Sequence, residues 1–119
     1  IWKLMSQAEQ MKSLMSVSIE PDLNDNKQTQ EIIMDNGLVI GHAYSITKMI
    51  EIDEIAIEKF KVYLDEYCKR NRLVRIRNPW GDHIEWNGRF GDKSQEWDDI
   101  PQEIKNDIGL NYENDGEFW

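Results

Sequence analysis

An α+β fold is what this chain predicts, and three observations carry the prediction. Apolar residues recur at helical spacing near the N-terminus, segments that alternate like strands occupy the middle, and glycine-containing turn signals punctuate the last third. At 119 residues, 39% of them apolar, the chain has room for one modest core.

The elements follow in order. Ile1, Leu4, Met5, Met11, Leu14 and Met15 fall on one side of an amphipathic helix over residues 1–15. The run SVSI then alternates briefly and meets Pro21, which predicts a short strand. The polar stretch PDLNDNKQTQ reads as a loop. Asp22, Asn24 and Asn26 have the spacing of an EF-hand loop, but Lys27 stands where that loop needs glycine and Ile33 where it needs a bidentate Glu, so a solvated loop is the better reading.

Between Leu38 and Ile52 the chain turns β-like, with Leu38, Ile40, His42, Tyr44 and Ile46 on one parity and so on one strand face. Ile57, Phe60, Leu64 and Tyr67 recur at three- and four-residue steps, and Lys61 and Asp65 can pair, so residues 53–72 predict an inserted helical segment, although IAIEKFKVYL also fits a strand. LVRIRN alternates, placing Val74, Ile76 and Asn78 on one face and Arg75 and Arg77 on the other until Pro79 ends it. Turn signals follow at Asn87-Gly88, Gly91-Asp92 and Asp115-Gly116, and Pro101 suits the first position of a short helix. There are no repeats, low-complexity segments or internal linkers.

Charge and cysteine usage narrow the function. With 23 acidic against 14 basic residues the net charge is -9, which repels phosphate backbones and anionic membranes, so nucleic acid is not an expected partner. The single Cys68 cannot form an internal disulfide, no Asn-x-Ser/Thr sequon occurs, and no apolar run approaches transmembrane length. An intracellular, cytoplasmic setting is expected. Because IWKLMSQAEQ has neither a signal core nor a start methionine, the chain is expected to be cut from something longer.

The chemistry lies in GHAYS and RNPWG. A His in a strand is by itself more often structural, and Asn-Pro is by itself a strand terminator. Read together, each on a predicted strand, they match a known physical use. A His takes the proton of a nucleophilic thiol, while an Asn side-chain oxygen accepts a hydrogen bond from the other ring nitrogen and fixes tautomer and orientation. Trp80, beside the Asn, can shield that bond from water.

GHAYS, then LVRIRNPWG, EW, G, F, D, W and the closing DGEFW closely resemble the second half of the protease core of calpains, calcium-dependent intracellular cysteine proteases, over nearly the whole chain. The resemblance implies that residues 1–119 are the C-terminal lobe of a papain-like core, β-rich with antiparallel sheets and a few helices. It places the catalytic residues on His42 and Asn78 and the gating Trp on Trp80. The nucleophilic Cys belongs to the family's first lobe, absent here, so that lobe is the implied partner, proteins are the implied substrates, and the chain alone should be inactive. Cys68, in the charged context EYCKR, reads as an incidental thiol.

From Glu85 to Trp119 there are ten acidic residues against three basic ones, an excess that is costly unless solvated or neutralised. By charge alone a solvated surface is the simpler reading. The resemblance instead implies a Ca2+ site with side-chain oxygens from Glu85, Asp92, Asp115 and Glu117 and the backbone carbonyl of Glu113. Residues DHI between Gly81 and Glu85 are one more than the family spacing, so the turn must bulge, with Asp82 or His83 near the ion or on the surface. In the family, calcium realigns the lobes and the Trp moves aside. The alternative is a calpain-like protein that has lost catalysis and serves as a calcium-responsive scaffold or binding module.

Overall fold

The computed structural model describes residues 1–21, 31–51, 72–81, 84–113 and 115–119. The expected loop over 22–30, the helical segment with Cys68, and Asp82 and His83 lie outside the described residues. Among the described residues, two helices, α1 (Trp2–Gln10) and α2 (Gln102–Ile108), accompany six strands. Strands β1 (Met15–Ser18), β4 (Ala43–Glu51), β5 (Arg72–Arg77) and β6 (Glu117–Phe118) form one sheet in the order β1-β4-β5-β6. Strands β2 (Ile32–Ile33) and β3 (Val39–Ile40) form a small separate hairpin. The pairings between these strands are antiparallel, as expected of an α+β lobe, and one isolated parallel bridge joins Ile19 to Ile40.

The parity of β5 divides the interior. Antiparallel partners share a face, so Ile46, Ile76 and Phe118 stand in register on one side, where Val39, Tyr44 and Phe118 form a buried cluster with Ile76, Ile84 and Trp86 against it. Ile50 and Leu73 are partners on the other side and pack against Phe90, Trp97, Ile108 and Trp119. The second cluster is capped by α2, which begins after Pro101 and ends at Gly109 with φ 69°, the left-handed close that glycine adopts without strain. Pro101 is therefore the N-cap, one position earlier than the sequence predicts. A 3₁₀ turn over Gln95–Asp99, which no sequence signal announces, carries Trp97 into this cluster.

Three expectations are corrected. The first helix stops at Gln10 instead of running to residue 15, because Lys12 adopts φ 57° and the amides of Lys12 and Ser13 turn back to the carbonyls of Glu9 and Ala8. That pair of bonds is a Schellman close, and it frees Met15 to start β1. No residue of α1 is buried, and Ile1 and Leu4 of its predicted apolar side are 98% and 71% exposed. The strand expected from Leu38 onward is broken at Gly41 and His42, so β3 and β4 are separate; Gly41 has φ 74° and its N–H bonds Ile19 O. A register shift between Ile46 and Lys48 then moves the buried position from Tyr44 parity to Met49, so the simple alternation ends there. Arg72 already belongs to β5, which shortens the expected insert by a residue. Among the described residues no helix is long and apolar enough to cross a membrane.

Trp97 is 1% exposed, and its indole N–H donates to Gly91 O at 2.9 Å. Trp97→Ala removes both the volume and that bond. Its expected cost is about 3–5 kcal/mol of stability, to be read from chemical denaturation.

Candidate active site

Asn78 ends β5 and is fully buried. The segment Asn78-Pro79-Trp80-Gly81 closes a β-turn in which Gly81 N–H donates to Asn78 O at 3.0 Å, with proline at the position whose φ it pre-sets. Within that turn Trp80 N–H donates to Asn78 Oδ1 at 3.0 Å. The Asn78 amide nitrogen points the other way and donates to Ile84 O at 3.4 Å. Two independent partners thus define which end of the side chain is oxygen, the assignment on which any role of Asn78 depends.

His42 lies immediately before β4 and is 6% exposed. Its Nε2 stands 2.9 Å from Asn78 Oδ1. That oxygen can only accept, so Nε2 carries the proton and Nδ1 is left to exchange protons with a reacting group. The Trp80 ring lies 4.4 Å from the imidazole, tilted by 46°, and the Tyr44 ring meets the imidazole edge at 5.1 Å. Tyr44 also accepts Val39 N–H at 2.7 Å, which ties the end of the β2–β3 hairpin to the strand that follows His42. Burial raises the Tyr44 phenol above its ordinary range, opposed by the Val39 bond and aided by the charge of Glu31. The structure therefore brings His42, Asn78 and Trp80 together. It adds Tyr44, noted in the sequence only for its parity, and Glu31, whose Oε1 lies 2.7 Å from His42 Nδ1.

The acidic residues expected to hold a cation cluster on the neighbouring loops. Asp92 is 9% exposed, and neither carboxylate oxygen has a hydrogen-bond partner. It lines an open cleft of about 360 Å³ between the β2–β3 hairpin and the loop from Ile84 to Ser94. Gly37 closes one wall of that cleft, since its φ of 86° and the 1.8 Å between an added Cβ and Glu85 O exclude a side chain. Burial first, then the charges of Glu85, Asp115 and Glu117, push the Asp92 carboxyl up to about 7, with Lys93 opposing.

The other oxygens have partners. Glu85 accepts Gly116 N–H at 2.8 Å, Asp115 accepts Glu117 N–H at 2.9 Å, and Glu117 pairs with Arg75 at 3.4 Å. Glu113 O accepts Asp115 N–H at 2.9 Å. Among the described residues no three metal-ligating side chains converge closely enough to hold an ion as they stand. Even so, a buried, unpartnered carboxylate beside three more is the donor chemistry of a hard divalent cation, and these residues fit Ca2+ in kind.

One residue joins the two regions. Gly116, with φ 82°, donates its N–H to Glu85 and its carbonyl accepts Asn78 N–H at 2.7 Å. A Cβ there would lie 2.9 Å from Asn78 O, so only glycine fits.

Comparison with known proteins gives a consistent result. The model of the calpain family of cysteine proteases matches residues 1–119. The chain is 40% identical to Calpain-A of Drosophila melanogaster and 41% identical to Calpain clp-1 of Caenorhabditis elegans, in each case over all of this chain and 13% of the relative. It is 34% identical to the Calpain-2 catalytic subunit of Gallus gallus, over all of this chain and 15% of that protein. The chain thus spans only a small part of the length of the relatives it matches.

A folded-state value near 7 for Asp92 lies above the unfolded value near 4, so the fold disfavours its ionised form. Without divalent cations, the Asp92 contribution to stability should decline as pH rises from about 4 to about 7 and then level off. Asp92→Asn should remove that decline. Denaturation in chelator at about pH 5 and about pH 8 reads it, and an unchanged profile in the variant counts against it.

Proposed function

The chain belongs to the calpain family of cysteine proteases, and we propose that within that family it is the second lobe of the catalytic core of an intracellular, calcium-dependent endopeptidase acting on proteins. The observation that carries this reading is the His42–Asn78 contact, made with a defined amide orientation beneath the Trp80 ring.

In this reading the nucleophilic thiol comes from the first lobe, outside these 119 residues. His42 Nδ1 takes the thiol proton, and Asn78 Oδ1 keeps the Nε2 proton in place, so the ring stays oriented while charged. Asn is suited to this role because its neutral oxygen orients the imidazolium without competing with the thiolate for the proton. The Nδ1 proton then passes to the departing amine. Trp80 covers the bond between His42 and Asn78 and is the element that must shift as the lobes close.

Ca2+, when bound, would supply the positive charge that Asp92 lacks and draw on Glu85, Asp115, Glu117 and the Glu113 carbonyl. Gly116 supports a link from that site to catalysis, because the residue between two of these ligands also holds the backbone of Asn78.

In the complete protein, His42→Ala should lower peptide hydrolysis by a factor of roughly 10⁴ or more at saturating calcium, and retained activity would refute the assignment. Asp92→Asn and Asp115→Asn should each raise the calcium needed for half-maximal activity by roughly tenfold or more, leaving the saturated rate close to wild type. An unchanged calcium dependence would remove the cation site from this reading while leaving the His42 and Asn78 roles intact.

A further inference from the structure

We propose that Glu31 is the resting partner of the catalytic base: its carboxylate holds the His42 Nδ1 proton at the position the nucleophile's sulfur must take, and it yields that position when the site assembles. The inference rests on the reading of His42 as the base.

A ring nitrogen has one bonding direction in the imidazole plane. Nε2 is committed to Asn78 Oδ1 at 2.9 Å, an oxygen whose identity Trp80 N–H independently defines. At 2.7 Å from Glu31 Oε1, Nδ1 sits at hydrogen-bond distance from a second acceptor, so a proton lies between them. While that proton is shared with Glu31, Nδ1 has no lone pair with which to take one from a thiol. The contact therefore orients the ring at both ends and blocks its chemistry at one.

The two partners differ in how firmly they are held. Asn78 is fully buried and bonded through its backbone N–H and O, its amide nitrogen and its amide oxygen. The Glu31 side chain is 46% exposed against 7% for that of His42. It enters from the residue before β2, a two-residue strand whose Ile32 and Ile33 are both exposed. When Glu31 swings out, the shared proton leaves with its carboxyl group and passes to solvent, which restores the Nδ1 lone pair, whereas Asn78 has nowhere to go. Glu31 also keeps a carboxylate where a thiolate will later stand, so the imidazole meets the same sign of charge before and after assembly.

The test is made in the complete protein, comparing wild type with Glu31→Ala and Glu31→Gln. Alkylation of the nucleophilic thiol by iodoacetamide and peptide hydrolysis are followed across a calcium titration. Removal of the cap should raise both rates at limiting calcium by about threefold or more, with kcat/KM at saturating calcium within about twofold of wild type. Glu31→Gln, which keeps the length but not the charge, should show the smaller rise of the two. Unchanged rates at limiting calcium would overturn the proposal, as would a fall at every calcium concentration, which would make Glu31 a permanent support. An unaltered melting temperature separates these outcomes from misfolding. If His42→Ala retains activity, the parent reading fails; if it abolishes activity while the Glu31 variants behave as wild type, only the proposal about Glu31 fails.

Discussion

The side-chain oxygen of Asn78 is the fixed point from which the rest of the site is measured. It accepts from Trp80 N–H and faces His42 Nε2, while the amide nitrogen is occupied by Ile84 O. If the amide were reversed, it would present a donor to Nε2 and lose the Trp80 bond, so one orientation is far better satisfied than the other. Every polar group of this fully buried residue is engaged, four of the five partners being backbone groups, so a shift of the backbone that leaves one of them unpaired carries a typical cost of about 1–3 kcal/mol. The Asn-Pro-Trp-Gly turn, the end of β5 and the Gly116 contact all serve that one orientation.

The sheet supports this by separating its duties between faces. On β5, Leu73 faces the cluster of Phe90, Trp97 and Ile108, which supplies most of the large buried side chains. Ile76 faces the smaller cluster, which contains Tyr44, the residue whose ring meets His42. Arg75, on the Leu73 parity, is held by Thr47 at 3.0 Å, Glu117 at 3.4 Å and the Trp119 ring at 5.7 Å. It joins β4, β6 and the C-terminal Trp119 across the face away from the site, so the edge strand that follows Gly116 is held by its side chains as well as by its pairing with β5. A one-residue slip of β5 would exchange these faces and turn Arg75 and Arg77 toward the cluster of Val39, Tyr44 and Phe118.

What could be read from the sequence was whatever depends on local pattern. The alternation in LVRIRN, the short helix after Pro101, the turn at Asp115-Gly116 and the contact of His42 with Asn78 all rest on short-range spacing or on two distinctive motifs. What escaped depends on long-range closure. The break at Gly41 arises because its N–H is taken by Ile19, and β6 is only two residues long and exists through its pairing with β5. Glu31 carries no signal of its own, since a single acidic residue at the end of a polar stretch becomes meaningful only once the fold sets it against the imidazole. The acidic tail illustrates the intermediate case. Charge count located the region, and burial marks Asp92 within it, since its carboxylate oxygens are buried without a hydrogen-bond partner.

The contact between Gly116 and Asn78 also bears on how the protein is born. Translation is vectorial, and Gly116, whose carbonyl accepts Asn78 N–H, is made after His42, Asn78 and Trp80. Until then the backbone that orients the amide is incomplete, and β5 lacks its outer neighbour. A nascent chain therefore carries His42, Asn78 and Trp80 before the backbone bond that helps fix the Asn78 amide can form.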